Sequence, residues 1–452
     1  MTADAFSDLA KTTETLLDEA RRAGADAADV LAVDAASVSI DVLGGALEHA
    51  ERSEGIEIGL RVLIGQRQAC VAASDTKPET FQEMAERAVA MAKEALDDPH
   101  IGLADPSELA EMPDVDALDL VDPAPEPAPG ELEEDALRAE AATLAVAGVS
   151  KVQSASAAYA NRRVYLAASN GFQGGYGRTD RSLSAVAITG SGTEMERDWY
   201  ADTRIHGADL IAPEEIGRMA GERTVARAGA KKPPTGRFPV IFDERISSSL
   251  IGALLQAISG SAIANGSSWL RDAIGKTILP EGLSLVEEPL RPRTAGSRPV
   301  DAEGLPTKDR TIIDRGRLTG WTLDLATGRK LGFPSTANAT RGTSGPPQPT
   351  VTNVRLTQGD RTKEDLMAEA GTGLLVTSMI GSTINFNTGD YSRGASGMWF
   401  ENGAPAYPVT ECTIAGNLAD MLARIVPAND ARLHLSRVVP SILIDGMTLA
   451  GE

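Results

Sequence analysis

The sequence predicts an α+β protein, an N-terminal α/β region followed by a β-rich C-terminal domain. Three observations carry this. Over residues 6–96 the apolar spacing runs from helical to alternating and back to helical. Over residues 374–417 the apolar runs are short, rich in β-branched and aromatic residues, and bounded by Gly, Asn, Asp or Ser. Between them, Lys231-Lys232-Pro233-Pro234-Thr235-Gly236 is the clearest break in the chain. Residues 1–230 and 236–452 are therefore expected to form separate domains, and 452 residues exceed what one ordinary domain holds.

The elements follow in order. Phe6, Leu9, Leu16, Leu17 and Ala20 form one helical stripe, and Gly24 stops it. Residues 38–42 alternate as a strand. Residues 47–51, 57–64 and 68–73 extend this into a small meander, with Gly44-Gly45 and Ser53-Glu54-Gly55 as turns. Helical spacing returns over 78–96 through Phe81, Met84, Ala85, Ala88, Met91 and Ala92. Residues 99–130 read as a linker, because Pro123, Pro125, Pro127 and Pro129 favour extended chain.

A second alanine-rich helix is expected over 131–147. Strands follow at 151–160 and 163–168, joined by Asn161-Arg162, and at 183–188 and 199–205, before a helix over about 213–228. Past the break, 238–242 is a strand, and 243–264 reads as one helix with Ile246, Leu250, Ile251, Leu254, Leu255 and Ile258 apolar. Residues 283–286 and 311–313 are strands, the latter entering a hairpin over 314–318. Glu401-Asn402-Gly403 marks another hairpin, since Asn-Gly tolerates the positive φ such turns need.

Composition narrows the function. Against 43 basic residues stand 64 acidic ones, a net charge of −21. That disfavours nucleic acid and anionic membrane as partners, because both require basic patches. The N-terminus lacks a basic start followed by an apolar run, and no apolar stretch approaches a bilayer span, so a cytoplasmic protein is expected. Cys70 and Cys412 read as free thiols of a reducing compartment. Cys412 and Ser392 are formal candidates for a nucleophile, but neither has a sequence-evident histidine partner, so a structural role is expected of both. His49, His100, His206 and His434 are isolated from one another.

Four words carry a resemblance: TGDYSRGA (388–395), FENG (400–403), YPV (407–409) and TIAGNL (413–418). In this order they resemble the signature of the TldD/PmbA family, in its PmbA branch, also called TldE. Asp301-Ala302-Glu303-Gly304-Leu305-Pro306-Thr307 is similar to the family's D-x-E-G-x-P-T word, and Arg341-Gly342 and residues 350–353 also resemble the family. The resemblance is tight over about 238–418 and looser in the strand words GLRVLIG and ACVAAS.

The resemblance implies a subunit of a cytoplasmic zinc metallopeptidase that acts on unfolded peptides, leader segments of peptide antibiotics among them. In the family's catalytic TldD branch the helix corresponding to 243–264 carries HExxxH. Its two histidines bind zinc and its glutamate activates the metal-bound water. The ungapped placement here reads Gln256-Ala257-Ile258-Ser259-Gly260-Ser261, which keeps the glycine and replaces all three chemical positions. What is implied is a chain with no catalytic or metal-binding residue and no cofactor of its own, the degenerate positions being Gln256, Ala257 and Ser261. Its partners would be a TldD-like subunit, which bears HExxxH and the zinc, and an unfolded peptide, with neither nucleic acid nor membrane. Gly260 and Thr388, Gly389, Asp390, Tyr391, Ser392, Arg393 and Gly394 are expected to serve substrate binding or an interface. The 388–395 segment is expected as a turn facing the core or the partner, with Arg393 pairing with a carboxylate. Two alternatives remain open: a self-sufficient hydrolase with an unidentified site, and a regulatory interaction subunit, as the family's naming as a gyrase modulator implies.

Overall fold

The computed structural model describes residues 6–112 and 114–451. Met1 to Ala5, within the stretch read for a leader, Pro113 of the expected linker and Glu452 lie outside the described residues. A six-stranded antiparallel sheet organises the first half, in the order β3-β2-β1-β4-β5-β6. These strands are β1 (Ala27–Leu43), β2 (Ala46–Ile64), β3 (Arg67–Ala73), β4 (Val149–Ala168), β5 (Gln173–Thr189) and β6 (Glu196–Arg204). One face carries four helices. α1 (Ser7–Ala23) and α2 (Pro78–Glu94) bury Leu16, Phe81, Met84 and Ala88 against Val30 and Leu60. α3 (Pro129–Leu144) and α4 (Pro213–Val225) bury Leu132, Ala136 and Ile216 against Val38, Ile40 and Leu183. Val30, Val38 and Ile40 alternate in phase along β1, so both helix pairs lie on one face. α4 lies close on α3 because Gly217 has no side chain; a Cβ there would stand 2.2 Å from the Ala139 carbonyl oxygen.

Two expected turns are strand interior. β2 runs straight through Ser53-Glu54-Gly55, and β4 through Asn161-Arg162. The reason is β1 between them: Ala36 faces Glu54 on one side and Asn161 on the other. An unbroken neighbour supplies ladder hydrogen bonds that outweigh local turn preference. Parts of the expected linker over 99–130 are held against the body: Ala110 N–H donates to the Gly304 carbonyl at 2.9 Å, and Leu118 and Leu120 are buried.

β7 (Gly236–Phe242) opens the second half. Short strands follow: β8 (Leu285–Glu287), β9 (Arg310–Asp314), β10 (Arg317–Leu318), β11 (Ala339–Thr340), β12 (Gln348–Pro349) and β13 (Val354–Leu356). Then come three long antiparallel strands, β14 (Gly373–Asn385), β15 (Asp390–Glu401) and β16 (Ala404–Asn417), and finally β17 (Val426–Pro427), β18 (Arg437–Val438) and β19 (Ile442–Ala450). The large sheet has the order β16-β15-β14-β7-β19-β17, and β16 also pairs with β19, which curls it toward a barrel. A second sheet runs β10-β9-β8-β13-β18. The β15–β16 hairpin turns at Asn402 (φ 51°) and Gly403 (φ 76°), as Asn-Gly requires.

β7 serves two cores through alternation. Val240 and Phe242 pack under α5 (Glu244–Ala257) with Leu250, Ile251 and Leu254. Ile241 points the other way, to Leu366 and Met367 of α8 (Lys363–Ala370). A strand buried on both faces has no polar side, which explains the run Phe-Pro-Val-Ile-Phe. The two halves meet in a buried ion cluster: Arg61 and Arg341 both bond to Asp29, and Arg341 Nη2 donates to the Gly59 carbonyl at 2.9 Å. Among the described residues no helix is long and apolar enough to cross a membrane.

Candidate functional site

The helix expected over 243–264 is two helices, α5 and α6 (Gly260–Ala264). Asp243 caps the first, accepting from Arg245 N–H at 3.3 Å. Between the two helices the backbone turns to Thr322 instead: Gly260 N–H donates to the Thr322 carbonyl at 2.7 Å, and Thr322 N–H to the Ile258 carbonyl at 3.0 Å. Ser268 Oγ donates to the Ala257 carbonyl at 2.6 Å, satisfying a group the helix end leaves open. Gly260 is forced by packing. A Cβ on it would stand 2.4 Å from Thr327 Oγ1 and 2.8 Å from Leu323 Cδ2.

This break distributes the three degenerate positions. Gln256 is exposed on the last turn of α5, Ala257 is fully buried, and Ser261 lies in the first turn of α6 with its hydroxyl donating to Gln348 Oε1 at 3.0 Å. A carboxamide, a methyl and a hydroxyl do not fit zinc, which takes imidazole, thiolate or carboxylate. Among the described residues no group of three or more His, Cys, Asp or Glu stands together as a metal site. His206 is buried beside Asp119 (3.2 Å), and His434 Nε2 lies 3.4 Å from Asp202.

Beside Gln256 a cleft of about 400 Å³ opens, formed by Ser249, Gln256, Thr322, Thr350, Ile384 and Arg437 with their neighbours. Nothing local in the sequence marks Arg437 or Thr322, since only the fold brings β18 and the segment before α7 (Leu325–Leu331) to α5.

The signature segment is mostly strand. Thr388 and Gly389 (φ 81°) close the β14–β15 turn, and Asp390 onward belongs to β15. Asn417 Nδ2 donates to the Thr388 carbonyl at 2.8 Å, and Leu418 N–H to the Gly389 carbonyl at 2.7 Å, so TIAGNL clasps TGDY. Asp390 Oδ2 accepts from Thr388 Oγ1 at 2.7 Å. Phe386, in the same turn, stacks on Trp269 with centroids 5.9 Å apart, and Trp269 N–H donates to its carbonyl. Tyr391 is buried, its hydroxyl 3.3 Å from the Met379 sulfur, and burial pushes its phenol up to about 12. Arg393 Nε donates to the Gly381 carbonyl at 2.8 Å. Ser392 pairs with Thr383 and Ala415 inside the sheet, and Gly394 with Ile380 and Thr413. The segment reaches the cleft through Ile384, the register partner of Tyr391.

Cys412 donates to the Ala395 carbonyl at 3.2 Å, and burial pushes its thiol up to about 11, leaving it protonated and inert. The D-x-E-G-x-P-T word is a backbone clamp. Asp301 accepts from the N–H groups of Glu303, Leu305 and Ala339 at 2.9–3.0 Å, and Glu303 accepts from Leu325 N–H at 2.9 Å. Burial raises both carboxyls, Glu303 further because Asp301 and Asp324 adjoin it.

Family models match three segments: PmbA/TldA metallopeptidase domain 1 over residues 28–92, the central domain over 122–228 and the C-terminal domain over 235–451. The metalloprotease PmbA of Escherichia coli O157:H7 is 35% identical over 430 residues, covering 94% of this chain and 93% of that protein. A PmbA homolog from Haemophilus influenzae is 33% identical over 452 residues, covering 98% and 96%. Among solved structures, a candidate modulator of DNA gyrase from Bacteroides thetaiotaomicron superposes with a TM-score of 0.88 at 26% identity over 99% of each chain. TldE from Thermococcus kodakarensis superposes at 0.84 with 20% identity, over 97% of this chain and 99% of that one, a likeness of fold.

Proposed function

The chain belongs to the TldD/PmbA metallopeptidase family, and from that premise we propose that it is the non-catalytic subunit of a two-chain zinc peptidase. Its partner is a TldD-like chain that carries HExxxH and the zinc. The complex works in the cytoplasm on unfolded peptides, leader segments included. In this reading residues 1–230 and 236–452 are two domains, and the second presents the cleft beside Gln256 to the shared interior. Gly260 and the 388–394 segment shape that interior through packing.

One observation carries the reading. The α5–α6 junction keeps the glycine that packing against Thr327 demands, while a carboxamide, a methyl and a hydroxyl occupy the positions of the three chemical groups. A fold kept without its chemistry suits a scaffold that completes another chain's site.

Affinity purification of the tagged chain from its own cells tests the assembly. The expected result is stoichiometric recovery of one HExxxH-bearing homologue through an interface of about 2,000 Å² or more. Recovery of the chain alone, with one zinc per chain and peptidase activity of its own, would instead make it a hydrolase in its own right.

A further inference from the structure

We propose that the cleft beside Gln256 binds a carboxylate of an extended peptide, with Arg437 as the anion-binding group. The inference rests on the peptide-enclosing role proposed above and adds a chemical preference to it.

The electrostatics of the lining come first. In a chain of net charge −21, none of the described residues that line this cleft is an aspartate or glutamate, and Arg437 is the one charged side chain among them. Its volume of about 400 Å³ is within the range of small-ligand sites and accommodates a few peptide side chains. Apolar surface from Val351 and Ile384 lies beside the polar groups of Ser249 and Gln256. The site therefore favours an anion flanked by an aliphatic group over a cation.

Arg437 is built for that role. Its backbone is fixed in β18, where it pairs in parallel with Val354. Its side chain is exposed, and among the described residues it has no hydrogen-bond or ion-pair partner. Nearby arginines are occupied: Arg432 bonds Glu244 at 2.8 Å and Arg355 bonds Glu288. The guanidinium rests over α5 at Gly252, where a Cβ would stand 3.0 Å from Arg437 Nη1. Gly252 is one helical turn before Gln256, so the two share a face and the guanidinium lies beside the carboxamide. A free guanidinium fork matches a carboxylate bidentately, and a neighbouring carboxamide N–H₂ adds a donor. The carboxylate is either an Asp or Glu side chain or the peptide's own C-terminus.

Fluorescence anisotropy with the full-length chain tests this. Four labelled decapeptides, otherwise neutral, carry either one internal Glu or Gln, each as C-terminal acid or amide. The Glu acid and one of the two peptides bearing a single carboxylate should bind about tenfold more tightly than the Gln amide, the worth of one charge-assisted pair. The advantage should shrink from about 50 to about 300 mM NaCl. Preference for the Glu amide assigns the subsite to a side chain, and preference for the Gln acid assigns it to the chain end. Arg437→Gln should abolish the advantage and Arg437→Lys should retain part of it. Gly252→Leu, which crowds the guanidinium without removing it, should weaken it too. Equal binding of all four peptides, an advantage insensitive to salt, or one that survives Arg437→Gln would overturn the proposal. So would an Arg437→Gln chain that loses its subunit partner while keeping the carboxylate preference. The subunit reading is read separately: failure of the wild-type chain to assemble with an HExxxH homologue sinks that reading and leaves the peptide preference standing.

Discussion

Gly260 lies so close to Thr327 that a Cβ on the glycine would stand 2.4 Å from the threonine Oγ1. Leu323 closes the same side at 2.8 Å, and Ala257, just upstream, is fully buried. The glycine is thus explained by packing of α6 on α7, independently of any chemistry. Gly260→Ala is expected to destabilise the chain by about 1–3 kcal/mol, the usual cost of overpacking. Urea unfolding should show a lower midpoint at unchanged slope. An unshifted midpoint would mean that α6 moves aside freely.

Restoring the motif should not restore a metal site. The triple change Gln256→His, Ala257→Glu and Ser261→His places its ligands on two helices separated by the break after Ala257, where the backbone bonds to Thr322. It also puts a carboxylate where Ala257 has no exposure, a burial that costs several kcal/mol unless paired. The expected outcome is a less stable protein without stoichiometric zinc, read by thermal unfolding and elemental analysis. One zinc per chain in the variant would contradict this.

The join between the halves carries charge with no exposure. Arg341 and Arg61 converge on Asp29, and a Cβ on Gly59 would stand 2.0 Å from the Thr343 carbonyl oxygen. Asp29→Asn leaves two buried guanidiniums without their counter-ion and is expected to cost about 3–5 kcal/mol. Differential scanning calorimetry should show a large fall in Tm, and a fall of only a degree or two would show that the cluster relaxes into water.

Asp202 makes stability depend on acid. Burial alone would raise its carboxyl, but the His434 ring 3.4 Å away and hydrogen bonds from Arg204 outweigh burial and hold it at about 2, below the usual 3.8. A depressed folded value means the stabilisation is present above pH 3.8 and is lost as pH falls toward 2. The loss should be about 2 kcal/mol between these limits, from 1.36 kcal/mol per unit. Asp202→Asn should flatten that part of the pH–stability curve, and an unchanged acid limb would contradict the assignment.

The legible parts of this protein were those set by local chemistry. The Asn402-Gly403 turn, the helical stripe through Leu9 and Leu16, and the strand at 238–242 all follow from spacing and turn type. Long-range pairing was not legible. Ser53-Glu54-Gly55 and Asn161-Arg162 read as turns because nothing nearby reveals that β1 holds them straight. The break after Ala257 was hidden for the same reason. Its cause is Thr322, sixty-odd residues on, and the helical stripe from Leu250 to Ile258 continues across it. Of the candidate site, Gln256, Ala257, Gly260 and Ser261 could be named from the motif placement, whereas Arg437 reaches α5 only through the pairing of β18 with β13.

Reconstitution with an HExxxH-bearing homologue from the same cell, using an unfolded peptide as substrate, asks whether this chain lends a peptidase structure and not catalytic groups. Cleavage is expected only when both chains are present and should be lost on adding a chelator. Equal cleavage by the partner alone, or cleavage by this chain without it, would show that the chain is no such scaffold.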